Sequence, residues 1–282
     1  MTPLSLFFED KNVPLGQGLT IGLIYRDFQE NCKSLVSVIT PQRFYTFYMK
    51  EEKKIAVIGS VVYDVVSTQD GSFYRSFGGI TYSVVALARL LPDRIIIPVT
   101  YVGQKEIGKF RKIFNSLKNV ELSNVLPWKE SNVNSIFYPR RGARVEEFRK
   151  TTPPFRYQMF RNLLDCEAIL VNFIKNDDLS LEDLKTLSFS FRGTLYVDIH
   201  SLLRDISKGG KFVLRHPKNW VGWASLPDII QLNRSEAHAL TGLRSSNLKE
   251  LKMIANLILN QGPTIVTVTL GKLGSITLWK EK

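Results

Sequence analysis

The sequence predicts an α/β chain built on a mainly parallel sheet, and three observations carry that expectation. Short, continuous apolar runs recur at 55–58, 168–173, 195–198, 229–232 and 264–269, as in strands buried on both faces. Between them lie apolar residues at helical spacing, clearest in Val84, Val85, Leu87, Ala88 and Leu91, and in Leu248, Leu251, Ile254, Ala255 and Ile258. With 282 residues and 44% hydrophobic content, the chain can bury a full core as one large domain.

Composition narrows the partners. The formal net charge of +12 suits anionic ligands such as nucleotides or phosphorylated metabolites. Basic residues are interleaved with acids rather than gathered in a block, which argues against a nucleic-acid partner. Cys32 and Cys166 are too few for a disulfide framework or a cysteine-based zinc site, in keeping with a reducing cytoplasm. Glu9 and Asp10 stand where a signal peptide needs an apolar core, and no run reaches membrane-spanning length. The expectation is a soluble, cytoplasmic protein with no membrane partner.

Residues 1–48 show no clear period. A charged lead-in, Met49-Lys50-Glu51-Glu52-Lys53-Lys54, then runs straight into the first strand. We therefore expect the core domain to span 49–282 and 1–48 to be an extension outside it, the alternative being an extra helix or strand.

After strand 55–58 come Gly59-Ser60 and then Asp64. An ionised aspartate beyond a strand end accepts hydrogen bonds and suits ligand hydroxyls, or it is a solvated loop residue. Gly78-Gly79 precede a helix. Paired glycines there let the backbone approach a ligand and leave N–H groups free, or simply make a tight turn. A helix is predicted over 106–117, with Ile107, Phe110, Ile113, Phe114 and Leu117 on its packing face. Segment 134–149 reads as a hairpin turning at 139–142, where Arg140, Arg141 and Arg144 cluster at a solvated tip.

In the second half, Asn172 and Asp198 occupy strand ends, where open parallel sheets bind ligands. For Asp198 a turn or cap role competes with a place beside phosphate or metal. Ser180 with Asp183 caps a helix start. His200, His216 and His238 lack partners at ligand spacing, and Trp220 and Trp223 read as packing residues. Asn233 and Glu236 sit at a strand–helix hinge; they form either a capping box or a chemical site. Thr269-Leu270-Gly271-Lys272-Leu273-Gly274 reads as a hairpin turn, or as a backbone cradle for phosphate with a hydroxyl from Thr269 and a charge from Lys272.

Taken in order, KIAVIGSVVYD at 54–64, FGGITYSVVALARL at 77–90, Asn233-Arg234-Ser235-Glu236 and the segment from Thr269 to Gly274 resemble the PfkB/ribokinase family of carbohydrate kinases. The resemblance implies a ribokinase-like three-layer α/β/α fold with a mainly parallel central sheet and a small β lid formed by about 65–76 and 134–149. It implies an ATP-dependent phosphotransferase that moves the γ-phosphate to a hydroxyl of a sugar or nucleoside. Asp64, Gly78, Gly79, Ser83 and Asn172 would face that acceptor. Asn233, Thr269, Gly271, Lys272 and Gly274 would face ATP, and Glu236 would organise Mg²⁺ through water. A homodimer through the lid strands is also admitted.

Two positions depart from the pattern: Val62 and Ser83 replace asparagines, removing two amides from the acceptor site, so ribose need not be the substrate. The family's G-A-G-D segment, whose glycines open a helix over the transferring phosphoryl group and whose Asp is the base, occurs nowhere in these 282 residues. The expectation is therefore a chain that ends before its base and is impaired in transfer. The alternative is a non-catalytic sugar- or nucleoside-binding or regulatory protein of the same descent.

Overall fold

The computed structural model describes residues 35–40, 43–48, 53–141, 145–206 and 212–281. The expectation for 1–48 falls mostly outside the described residues. Within that stretch, β1 (Leu35–Thr40) and β2 (Arg43–Tyr48) pair antiparallel, Leu35 opposite Tyr48, in a unit separate from Lys53–Lys282.

The larger unit begins with β3 (Lys54–Ile58), β4 (Val61–Thr68), β5 (Phe73–Gly79), α1 (Ile80–Leu90), β6 (Ile95–Gly103) and α2 (Ile107–Lys112). There follow β7 (Val125–Trp128), β8 (Asn132–Tyr138), β9 (Val145–Arg149), β10 (Ala168–Asn172), α3 (Leu181–Ser190) and β11 (Thr194–Asp198). A small antiparallel pair, β12 (Arg204–Ile206) and β13 (Phe212–Leu214), leads to α4 (Trp220–Ser225). The chain closes with β14 (Ile229–Asn233), α5 (Arg234–Thr241), α6 (Leu248–Leu259), β15 (Ile265–Thr269) and β16 (Ser275–Trp279).

Eight strands form one sheet in the order β16-β15-β14-β11-β10-β3-β6-β7, parallel throughout except for the β15–β16 hairpin. Alternation along the strands builds two cores. Ala56 and Ile58 face one side with Ile97, Val99, Ile169, Val171, Val197, Ile230 and Val266, under residues of α3 to α6. Ile55 and Val57 face the other side with Ile96, packed against Val84 and Ala88 of α1 and Phe110 of α2. Registers such as Ile169 opposite Ala56 and Ile230 opposite Val266 keep like faces together, as two-sided burial requires. This is the three-layer arrangement expected. Trp223 packs its ring edge-on to Phe173, 5.7 Å between centroids, in the packing role expected of it. Among the described residues no helix is long and apolar enough to cross a membrane.

A second sheet, β5-β4-β8-β9, stands over the end of β3 as the lid. Its strands reach beyond the expected 65–76 and 134–149, and its centre is a parallel pairing of β4 with β8. Two expectations need correction. Asp64 lies inside lid strand β4 rather than in a loop, because the chain pairs again directly after Gly59-Ser60. The helix over 106–117 regularises only at Ile107–Lys112; beyond it Phe114, Asn115 and Leu117 bond to carbonyls three residues back, the tighter turn that ends α-geometry. Phe110 and Phe114 still anchor it in the core.

The chain returns from the lid through Gly79, whose φ of +65° belongs to the left-handed region, and a Cβ there would lie 2.2 Å from the Ser60 carbonyl oxygen. Gly71, at the tip of the β4–β5 hairpin, shares the conformation (φ +87°) but has open space around it. Gly79→Ala should therefore lose about 2 kcal/mol or more in a urea titration, whereas Gly71→Ala should lose only about 1 kcal/mol. Equal losses would mean that the Ser60 contact is immaterial.

Candidate functional site

In an open parallel sheet, ligands bind beyond the carboxyl ends of strands where the connections diverge. Here that point lies between β3 and β10. From β3 the chain goes to β6 and β7 on one side, while β10, β11, β14 and β15 lie on the other. The strand ends are drawn close: a Cβ on Gly59 would meet the Asn172 carbonyl oxygen at 2.4 Å. A buried carboxylate ties them. Asp178 Oδ1 accepts from Ser60 Oγ at 2.5 Å, and Oδ2 accepts from the backbone N–H groups of Ile174 (2.7 Å) and Lys175 (3.0 Å). Lys175, only 3% exposed, places Nζ 3.4 Å from Asp178 and 3.3 Å from Asp177 and donates to the Pro153 carbonyl. Burial pushes the Asp178 carboxyl up, opposed by Lys175 and the Ser60 hydrogen bond. The sequence reading missed this pair. The run Ile174-Lys175-Asn176-Asp177-Asp178 looks like a solvated turn, and nothing local announces that two of its charges are buried.

One side of the candidate site is built on this clamp. In β4, Asp64 registers opposite Ser76 of β5 and Asn134 of β8. Its Oδ2 lies where a Cβ on Gly78 would fall, at 2.3 Å, so only glycine admits the carboxylate at this spot. The Asn134 side chain donates to the carboxylate. Burial raises the Asp64 carboxyl to about 6, the Asn134 hydrogen bond opposing and the nearby Glu146 charge adding to the rise. One turn into α1, Ser83 Oγ accepts from Asn172 Nδ2 at 3.4 Å. The carbonyl oxygens of Asn134 and Asn172 are both buried and have no hydrogen-bond partner. Each such oxygen costs about 1–3 kcal/mol until something donates to it. Asp64, Gly78, Gly79, Ser83 and Asn172 thus gather around the start of α1. Asn134 was overlooked because the parallel β4–β8 pairing has no local sequence signal.

The other side of the candidate site lies further along the same edge. Asn233 ends β14 and registers with Thr269 at the end of β15. Asn233 Oδ1 accepts from the Glu236 N–H at 3.0 Å, and Glu236 Oε2 accepts from the Asn233 N–H at 2.8 Å, a complete capping box. Glu236 Oε1 accepts from Asn233 Nδ2 at 2.6 Å and lies 3.4 Å from His200 Nδ1. Asp198 accepts from the His200 N–H and from Gln231 Nε2, and burial pushes its carboxyl up. After Thr269 a single tight turn carries Gly271 (φ +61°) and Gly274 (φ +88°), closed by the Leu270 N–H on the Gly274 carbonyl. Lys272 is exposed on it, and no side chain crowds either glycine.

Only β11 separates β10 from β14, so the two sides stand about 10 Å apart at their nearest, two strand spacings. A polar groove of about 170 Å³ lies elsewhere: Tyr63, Lys105, Glu106, Lys129, Ser131 and Arg149 line it, with Tyr63 and Val133 alternating with Asp64 and Asn134 along the lid strands. It contains none of the residues expected from sequence.

This architecture is the ribokinase-like α/β fold. The chain superposes on a sulfate complex of a pyrophosphate-dependent kinase in the ribokinase family with a TM-score of 0.66, at 19% identity over 80% of this chain and 76% of that one. Ribokinase from Arabidopsis thaliana, complexed with ribose and ATP, gives 0.63 at 14% identity over 82% and 77%. Ribokinase from Thermotoga maritima gives 0.60 at 14% over 82% and 76%. No protein-family model and no curated protein sequence matches the chain.

Asp64 supplies a measurable signature. Its folded value of about 6 stands above the ordinary 3.8, so between those values the folded state holds more protons than the unfolded state. The contribution of this group to stability is therefore fully present below about pH 4 and is lost as pH rises through about 6. Asp64→Asn removes this slope: its melting temperature should match the parent near pH 4 and exceed it near pH 7.5. A constant difference across that range would place Asp64 in water.

Proposed function

We propose that this chain belongs by descent to the PfkB/ribokinase kinases and binds a small polyol, a sugar or a nucleoside under the lid and a phosphate donor at the β14–β15 end. The supporting observation is the gathering of Asp64, Gly78, Ser83 and Asn172 at the divergence of β3 and β10, with Asn233 and Thr269 in register on the same sheet edge. The reaction such a site serves is transfer of a terminal phosphate to an acceptor hydroxyl. Positioning supplies most of its acceleration. Asp64 would hold acceptor hydroxyls through its carboxylate, and the lid would exclude water as a competing acceptor.

On the donor side, ATP is the proposed ligand, with Thr269, the turn N–H groups around Gly271 and Gly274, and Lys272 facing its phosphates. A second donor, inorganic pyrophosphate, is favoured by the similarity to pyrophosphate-dependent kinases, one of them complexed with a pyrophosphate analogue and myo-inositol. A direct Mg²⁺ site does not fit the donor set. Glu236 is 2% exposed with both oxygens engaged by Asn233, and the described residues offer no group of three or more His, Cys, Asp or Glu able to hold a metal ion. The water-mediated contact that the motif suggests for Glu236 is compatible with this arrangement, and no step depends on it.

The alternative, a binding or regulatory protein, needs the acceptor side alone. A homodimer through the lid is supported by the exposed Phe73, Tyr74, Phe137 and Tyr138 near its tip.

The test is a double dissociation by calorimetry on the full chain, with ATP and pyrophosphate as donors and myo-inositol, ribose and adenosine as acceptors, beside a coupled transfer assay. Asp64→Ala should weaken acceptor binding about tenfold or more and spare the donor. Thr269→Ala combined with Lys272→Ala should weaken the donor about tenfold and spare the acceptor. Transfer above background would separate the kinase reading from the binding-protein alternative. Absence of binding by all five compounds, or equal losses for both ligand classes in both variants, would overturn the proposal.

A further inference from the structure

We propose that Asn134, a lid residue outside every recognised motif, is a ligand-binding residue of the acceptor site. With Asn172 and Asp64 it selects an uncharged polyol over the phosphorylated form of the same polyol. This rests on the acceptor-site reading above and adds to it a residue and a substrate class.

Among the described residues, two buried side-chain polar atoms lack a hydrogen-bond partner, and both lie here: Asn134 Oδ1 and Asn172 Oδ1. Buried polar atoms are almost always paired, so two orphans, one beside Asp64 in the lid and one beside Ser83 of α1, each mark a place for a donor that the chain itself does not supply. The orientation of Asn134 follows from chemistry. An ionised carboxylate only accepts, so the Asn134 amide nitrogen must face Asp64 and the carbonyl must face away. The amide of Asn172 is turned toward Ser83 Oγ, which leaves its carbonyl open. Ser83, where the family pattern has an asparagine, thus works by aiming Asn172. Val62, the other departure, is buried beside Gly78 in the β4–β5 register. Two amides missing from the motif positions are replaced by amides from β8 and β10.

The result is a site of acceptors. Asp64 contributes a carboxylate, Asn134 and Asn172 contribute carbonyls, and Glu146 adds negative potential at Asp64. The basic group nearest in sequence to Asn172, Lys175, is buried and spent on Pro153, Asp177 and Asp178. Several hydroxyl donors satisfy such a set at once. A phosphate brings acceptor oxygens and negative charge to a set of groups that can only accept.

The experiment uses the full chain at about pH 8, where Asp64 is ionised, and measures calorimetric affinity and the melting temperature without ligand. The probes are myo-inositol, sorbitol and ribose, each beside its monophosphate. The parent should bind at least one free polyol about tenfold or more tightly than its monophosphate. Asn134→Ala should lose about tenfold or more of that affinity while melting within about 2 °C of the parent, because the hydrogen bond lost to Asp64 is offset by removal of the orphaned oxygen. Asn172→Ala, which leaves the lid untouched, should show the same loss. A merely structural asparagine would give the reverse, a lower melting temperature with affinity kept. Polyol binding by the parent with both variants within about threefold of it, or a monophosphate bound as tightly as the free polyol, overturns this inference and leaves the acceptor site standing. No binding of any probe by the parent overturns both.

Discussion

The buried carboxylate of Asp178 is the constraint on which the rest of the site depends. Removing a charge from water costs several kcal/mol unless partners replace the solvent. Asp178 has Ser60 Oγ, two backbone N–H groups and Lys175. All four partners lie at the ends of β3 and β10, so satisfying the charge requires those ends to stay together. From Ser60 the chain enters the lid, and at Gly79 it returns against the Ser60 carbonyl to start α1. The lid's entry and exit are therefore fixed to one point, and that point also holds Asn172. An ion pair of this kind contributes little net stability; its effect is to leave one geometry satisfied and to make the alternatives costly.

The two halves of the edge differ in how their polar groups are spent. At the β14–β15 end the side chain of Glu236 is bonded to Asn233, and the turn after Thr269 closes on itself through Leu270 and Gly274. The N–H groups of Leu270, Leu273 and Gly274 are bonded within that turn, and Lys272 stands exposed on it. The side around Asp64 and Asn172 is incomplete by two hydrogen bonds. Unsatisfied polar atoms thus lie on one side of the edge, whereas on the other the side chains of Asn233 and Glu236 already have partners.

Much of this was legible in the sequence, for identifiable reasons. Strands buried on both faces write themselves as unbroken apolar runs, so β3, β10, β11, β14 and β15 were found within a residue or two. Caps at Ser180 and Asn233 were readable because their partner lies three residues away. What escaped was non-local. The parallel register of Asp64 with Asn134 joins residues seventy positions apart, and the Ser60–Asp178 bond spans 118. Neither has a period or a spacing. The length of α2 escaped for another reason: Ile107, Phe110, Phe114 and Leu117 keep their spacing in successive tight turns, so an apolar stripe outlasts the α-helix that it suggests.

Asn233 and Glu236 show why a motif alone does not separate architecture from chemistry. A capping box and an N-x-x-E site require the same two residues at the same spacing, because both exploit the start of a helix beyond a strand. In this chain the cap is complete and Glu236 is buried, so its carboxylate already has a structural duty. Duty as a cap does not remove the electrostatic one. A carboxylate fixed 3.4 Å from His200 Nδ1 and close enough to Asp198 to help raise its carboxyl shapes the potential at the edge without touching a ligand. Residues that fold the hinge also set its charge, and on such a hinge the two roles are carried by the same atoms.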